Sequence, residues 1–444
     1  MTETGNATLT TSLSNLTELF LAITEQHPDT PLHLLSPDSG DSATVLTYAS
    51  LREQALGILG GLREYGHEPG RSVVLVLPRA VDFIPAFWAC LLGGYVPCPL
   101  APIQGDRRRW TAHLTHVDTL LGHPLAVSTG APVAELATVD LASLRAARPA
   151  ETVWTARPDD AAMHILTSGS TGNAKAVVLT HANVLAAVAA KNGSQRLTAG
   201  DVTLNWISFD HVAALLEMHL LPLSVGAEQV HVAPEQVLSE PVRFLQLIDR
   251  FRVTATFTPN FLLGQINAAC ATGLPDGLDL DLSCLRHIIS GGEAVVVGTG
   301  QRLLELLAPF GLASDALWPA FGMTETCAGS VYSTEFPHGG SGEFASLGRA
   351  VDGLSLRVIC DDGVEAPTGQ SGELQVRGPM VFPRYHNNEA ATRAAFTDDG
   401  WFRTGDLGRI EDGRLSLVGR SKDSIIVNGV NYFSHELEHA LGQL

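Results

Sequence analysis

Charge is scarce in this sequence, and basic charge scarcer still. Asp, Glu, Lys and Arg make up 17% of the 444 residues, and 28 Lys and Arg stand against 47 Asp and Glu, a formal net charge of −19. That surplus repels phosphate backbones and anionic lipid surfaces, which argues against nucleic-acid or membrane partners and leaves small phosphate ligands held in a local site. Cysteine is sparse too. Cys90, Cys98, Cys270, Cys284, Cys327 and Cys360 include no pair two residues apart, so neither a zinc knuckle nor a disulfide framework is indicated and buried, reduced thiols are expected. No stretch approaches the roughly 18 uninterrupted apolar residues of a membrane span. The start, MTETGNATLTTSLSNLTELF, lacks the basic opening and apolar run of a secretory signal, so the expectation is a cytoplasmic enzyme and the Asn-X-Ser/Thr triplets at Asn6, Asn15 and Asn192 carry little weight.

Apolar material is plentiful at 45%, and the length implies two or three domains of roughly 100–200 residues each. RSVVLVLP (Arg71 to Pro78) reads as a buried strand, and Val81, Ile84, Phe87, Trp88 and Leu91 give a helix over Ala80 to Gly93 with one apolar face. Val177 to Leu179, Val202 to Trp206, Gln229 to Val232, Ala255 to Phe257 and His287 to Ile289 read as successive strands, with a helix at Pro241 to Phe251. The fold class is therefore α/β, with two doubly wound subdomains at 1–180 and 181–340. Past Gly339-Gly340, short strands (Leu354 to Ile359, Gly372 to Arg377, Leu415 to Val418) between Gly, Pro and Asp turns predict a small antiparallel β-barrel subdomain at 341–421. From Ser421 a fresh motif opens, SKDSIIVNGVNYFSHELEHAL, a hairpin-like pair of runs followed by an amphipathic helix start and too short to bury a core, so 422–444 are expected to be the start of a truncated C-terminal α+β domain.

The chemistry-bearing signal is LTSGSTGNAKA (Leu166 to Ala176). Ser168, Ser170 and Thr171 with Gly169 and Gly172 precede Lys175, a loop able to surround phosphates with N–H and hydroxyl donors while the lysine supplies charge. A flexible Ser/Gly surface turn is the plain alternative. It is not a Walker A loop, because Lys175 follows Gly172 by three residues and is followed by Ala176.

Together with ISGGEAV (Ile289 to Val295), FGMTET (Phe321 to Thr326), DDGWFRTGDLG (Asp398 to Gly408) and GRSKDSIIVNGVNYFSHELE (Gly419 to Glu438), this loop resembles the ordered motifs of the adenylate-forming superfamily: acyl-CoA synthetases, luciferases and the adenylation domains of peptide and polyketide assembly lines. Ala174 and Ala176 replace the usual proline and second glycine. The resemblance implies ATP-dependent activation of a carboxylic acid as acyl-AMP with Mg²⁺, then transfer to a phosphopantetheine thiol on a carrier protein. It implies Lys175, Thr324 and Glu325 as catalytic, with Glu325 holding Mg²⁺. The nucleotide would be held by Thr167, Ser168, Gly169, Ser170, Thr171, Gly172, Gly291, Gly292, Glu293, Phe321, Gly322, Asp406 and Arg420. Asp406 has two oxygens to accept both ribose hydroxyls, and Phe321 would stack on adenine, although alone it reads as core. Lys422 is implied as the hinge, Gly429 as a close-approach or simple turn glycine, and a distal lysine of the small domain is expected beyond these residues.

By position in the family, WISFDHVAALLEMH (Trp206 to His219) and TFTPNF (Thr256 to Phe261) face the acid, giving Trp206, Asp210, His211, Met218, Pro259, Asn260, Phe261, Gly291 and Met323 as substrate residues. Asp210 would suit the ammonium of an amino acid, yet His211 follows it, and the region looks most like loading domains of hybrid polyketide/peptide synthases that take aryl or alkyl acids. His211 and His219 read equally as core histidines. A free-standing acyl-CoA ligase, an amino-acid-activating domain and a silent nucleotide-binding domain are the competing readings.

Overall fold

The computed structural model describes residues 13–36, 42–103, 105–167, 174–271, 279–337, 342–420, 424–427 and 430–433. Val202–Asn205, Glu228–Val232, Ala255–Phe257 and His287–Ser290 are short, apolar and largely buried, as parallel strands covered by helices must be. They pair in parallel, flanked by Leu317–Met323 on one side and Pro31–Leu35 on the other. Antiparallel strands close both ends of this nine-stranded sheet: Ala43–Thr47 at one, Ala328–Tyr332 and Arg349–Ala350 at the other. The large sheet thus draws strands from both stretches read as doubly wound.

A second, four-stranded parallel sheet holds Val96–Pro99, Ser72–Val76, Leu125–Ser128 and Ala137–Asp140. The helix Ala80–Gly93 has the expected bounds but not the expected single face, because every residue from Asp82 to Gly93 is buried. Trp88 stacks on Phe20 of the helix Leu16–Gln26 with centroids 4.1 Å apart. Pro85 cannot bond the carbonyl of Val81, and Arg145 takes its place with an Nη2–H donated to that oxygen at 3.1 Å.

The strand expected at Val177 to Leu179 exists as Lys175–Thr180, but it pairs antiparallel with Ala161–Thr167 in a separate three-stranded sheet completed by Arg384–Tyr385. A connection this short permits only antiparallel pairing. The expected barrel is a four-stranded antiparallel sheet among the described residues, in the order Ser355–Ile359, Gly372–Arg377, Phe402–Glu411, Arg414–Arg420. Ser424–Val427 and Val430–Phe433 form a hairpin. No helix among the described residues is long and apolar enough to cross a membrane.

The helix Tyr48–Glu64 measures how tightly these layers pack. A Cβ on Gly60 would stand 1.8 Å from the Arg148 carbonyl oxygen, whereas one on Gly57 would meet nothing within 4 Å. Glycine to alanine inside a helix normally gains about 0.8–1 kcal/mol. Gly57→Ala should therefore raise stability by about that amount, and Gly60→Ala should lower it by about 1–3 kcal/mol through overpacking. Urea unfolding of the two variants checks the opposite signs; equal effects would contradict the packing described.

Candidate active site

The strand Leu317–Met323 ends on Phe321-Gly322-Met323, makes one 3₁₀ turn over Thr324–Thr326 and returns antiparallel as Ala328–Tyr332. The reversal is tight. Cys327 and Ala328 take left-handed φ values of 57° and 69°, and a Cβ on Gly322 would lie 1.9 Å from the Ala328 carbonyl oxygen, so only glycine fits at 322. Thr326 Oγ1 locks the turn, accepting from the Met323 amide at 3.1 Å and lying 3.2 Å from the carbonyl oxygens of Met323 and Ala328.

This turn presents Glu325, which is buried. Its carbonyl oxygen accepts from the Phe382 amide at 2.9 Å, and its Oε1 accepts from the Tyr385 hydroxyl at 2.9 Å. Tyr385 arrives through the pairing of Arg384–Tyr385 with Val177–Val178, on the strand that begins at Lys175. Lys175 Nζ lies over the Tyr385 ring, 4.6 Å from its centroid. One phenol thus holds a carboxylate at its tip and an ammonium on its face. Burial first, then the charge of Glu325, pushes the Tyr385 pKa well above the usual phenol range, so the hydroxyl remains a donor.

These groups line a cavity of about 740 Å³. Of the residues singled out from the sequence, Thr167, Lys175, Asp210, His211, Gly291, Gly292, Phe321, Gly322, Met323, Thr324 and Glu325 meet on its surface. Asp406 is buried beside it, next to the lining Gly405, and pairs in register with Arg420, whose side chain is not among those described. Ser168, Gly169, Ser170, Thr171, Gly172, Lys422 and Gly429 lie outside the described residues. His211 Nδ1 accepts from the Ala213 amide at 3.2 Å, which puts the ring hydrogen on Nε2; loss of hydration lowers its pKa, with Asp210 opposing.

Other sequence-selected residues do not line the cavity. Trp206 and Met218 are core side chains, the former with its ring 6.0 Å from that of Phe261. Pro259 precedes the helix Asn260–Ala269; Asn260 Oδ1 accepts from the Val296 amide at 3.1 Å, and Glu293 Oε1 accepts from the Phe261 amide at 2.6 Å. Asn260 and Glu293 therefore brace the loop that follows Gly292 rather than line the cavity. His219 is a core histidine, its Nε2 accepting from Trp88 Nε1–H at 2.9 Å and its Nδ1–H donating to Gln229 Oε1 at 2.8 Å. Val212, Ala213 and Phe257, inside the segments expected to face the acid, are on the cavity surface, as are Tyr385, Ala320, Ala328 and Gly329, which were not singled out from the sequence. PRYHNN around Tyr385 carries no periodicity or spacing that would have flagged it.

The chain matches the family described as AMP-binding enzyme over residues 22–386. It is 41% identical over 442 residues to atromentin synthetase invA5 of Paxillus involutus, covering 95% of this chain and 46% of that protein. The chain thus spans about half the length of the curated relatives it matches. The structure of McyG A-PCP complexed with phenylalanyl-adenylate superposes with a TM-score of 0.90 at 33% identity, over 97% of this chain and 69% of that one. The adenylation domain of a keto acid-selecting nonribosomal peptide synthetase module, bound to keto acyl adenylate, gives 0.86 at 30% identity, over 97% and 84%.

Tyr385→Phe deletes the hydrogen bond to Glu325 and keeps the ring against Phe382, whose centroid is 4.7 Å away. We expect kcat/KM for ATP to fall about tenfold with little change in melting temperature, since a hydrogen bond to a charged group contributes about 1.5–3 kcal/mol. Steady-state kinetics beside a thermal melt checks this; an unchanged kcat/KM would remove Tyr385 from the site.

Proposed function

Because the chain belongs to the AMP-binding enzyme family and is an adenylate-forming domain, we propose that it joins a carboxylic acid to AMP from ATP, releasing pyrophosphate, and passes the acyl group to the phosphopantetheine thiol of a carrier protein. The observation that supports this best is the meeting of Lys175, Thr324 and Glu325 with Asp210 and His211 in one cavity.

The reaction sets a carboxylate against a phosphate, two anions that repel. Lys175 supplies positive charge beside the phosphates, and the Thr324 hydroxyl donates to the α-phosphate as negative charge builds on its oxygens. Thr167 and Ser168 through Gly172 would wrap the remaining phosphate oxygens. Phe321 packs on adenine beside Gly291 and Gly292, Asp406 accepts the ribose hydroxyls, Arg420 reaches the same sugar or a phosphate, and Lys422 serves as the hinge. Magnesium fits the donor set: the turn places one buried acid, Glu325, on the cavity, and Mg²⁺ commonly takes one or two carboxylates and completes its shell with substrate phosphates and water. Glu325 would hold it, with Tyr385 fixing the carboxylate, and the ion would neutralise phosphate charge.

For the acid, we favour a carboxylic acid without an α-amino group, in line with the keto acyl adenylate of one relative. An α-amino acid is the second reading, supported by Asp210, an acidic residue on the cavity lining. Trp206 and Met218 back this pocket from the core, while Pro259, Asn260, Phe261 and Glu293 lie off its lining.

The test is acyl-AMP formation by mass spectrometry over matched acids, 3-phenylpyruvate against phenylalanine among them, in ATP and Mg²⁺. We expect the oxo acid to be preferred and Glu325→Ala to cut formation by about 10²-fold or more, as loss of a metal ligand in phosphoryl chemistry should. Unchanged activity in Glu325→Ala would refute the assignment, and strong activation of phenylalanine that Asp210→Ala abolishes would turn the substrate to amino acids.

A further inference from the structure

Behind the cavity wall sits a charged pair that the reaction above does not use. Lys191, on the helix His181–Gln195, and Glu217, on the π-helical turn Leu216–Leu220, form an ion pair with side chains 1% and 0% exposed. Lysine occurs only three times in the 444 residues, at 175, 191 and 422, and one of the three is placed here. Besides Lys191, Glu217 Oε1 accepts from the Gly329 amide at 3.0 Å and the Tyr332 hydroxyl at 2.9 Å, while Oε2 accepts from Gln195 Nε2–H at 3.0 Å. Lys191 Nζ donates a second bond to the Gly329 carbonyl oxygen at 2.6 Å. Both polar groups of the Gly329 backbone are therefore held by one ion pair.

Stability alone is a poor reason for such an arrangement. Desolvating two charges is expensive, and apolar side chains of similar volume often fold as well or better. What the pair provides is position. Gly329 lines the cavity directly after the left-handed Cys327 and Ala328, and a Cβ on it would stand 2.5 Å from the Tyr332 hydroxyl and 2.7 Å from Glu217 Oε1. The π turn carrying Glu217 lies in a helical run from Val212 to Ser224, whose first residues, Val212 and Ala213, line the cavity together with Asp210 and His211. Such turns recur at functional sites.

We propose that Lys191 and Glu217 are positioning residues for substrate selection: their ion pair fixes the Asp210–Ala213 wall relative to Gly329, and so the shape offered to the acid, without touching it. This rests on reading those two walls as the acid's part of the cavity. The bonds the pair makes go to Gln195, Gly329 and Tyr332, and not to Lys175 or Tyr385, so the larger effect is expected on the acid.

The experiment compares the full chain with Lys191→Met/Glu217→Leu, using 3-phenylpyruvate and the rest of the acid panel. The double variant is expected to stay folded, with KM for ATP within about twofold of the parent and KM for the acid raised about tenfold or more, together with weakened discrimination among acids. Should it not fold, Glu217→Gln, which keeps the side chain's shape and an acceptor oxygen but loses its charge, carries the test with the same two readouts. Unchanged acid KM in a folded variant, or equal rises in both KM values, overturns the proposal. Failure of the chain extended through its small domain to form acyl-AMP from any acid overturns instead the functional reading beneath it.

Discussion

The close approach of Gly322 to the Ala328 carbonyl oxygen governs the rest of the site. Because no side chain fits between the two strands there, the chain turns back within four residues, Glu325 is carried to the apex, and Cys327 and Ala328 are forced into left-handed conformations. The same reversal sets Gly329 where Lys191 and Glu217 hold it and leaves Phe321 facing the cavity beside Gly291 and Gly292. A side chain at 322 would therefore disturb the Glu325 carboxylate, the stacking surface of Phe321 and the Gly329 wall at once.

Around this turn, a strongly acidic protein assembles a place for an anion by local means. Lys175 is held at the cavity by the Tyr385 ring, and Arg403 lines it while paired to Glu373 at 2.6 Å. Under the proposed function, neutral donors and an ion brought by the nucleotide would meet the rest of a triphosphate's charge. That agrees with a turn that offers one buried carboxylate, Glu325, to the cavity.

Much of the fold could be read from the sequence because it rests on local pattern. The apolar runs of the parallel strands, the bounds of Ala80–Gly93 and the strand Gly372–Arg377 all follow from burial periodicity and turn residues. The site was legible where a motif is continuous, as in FGMTET, whose Phe321 through Glu325 all reach the cavity. It was not legible where side-chain direction decides. Trp206 and Met218 lie in the right segments but turn into the core. Tyr385 depends on Glu325, 60 residues away, and the link from Glu217 to the cavity wall runs through Gly329 and Tyr332, more than 100 residues away. Such contacts leave no spacing in the chain to recognise.

The most direct test of the account is a crystal structure of the chain grown with AMP. The account expects adenine against Phe321 and the Gly291-Gly292 backbone, the ribose hydroxyls on Asp406, and the phosphate within reach of Thr324 and Lys175. Nucleotide bound instead in the separate cleft lined by Arg196, Arg286, Arg349 and Arg414 would contradict it.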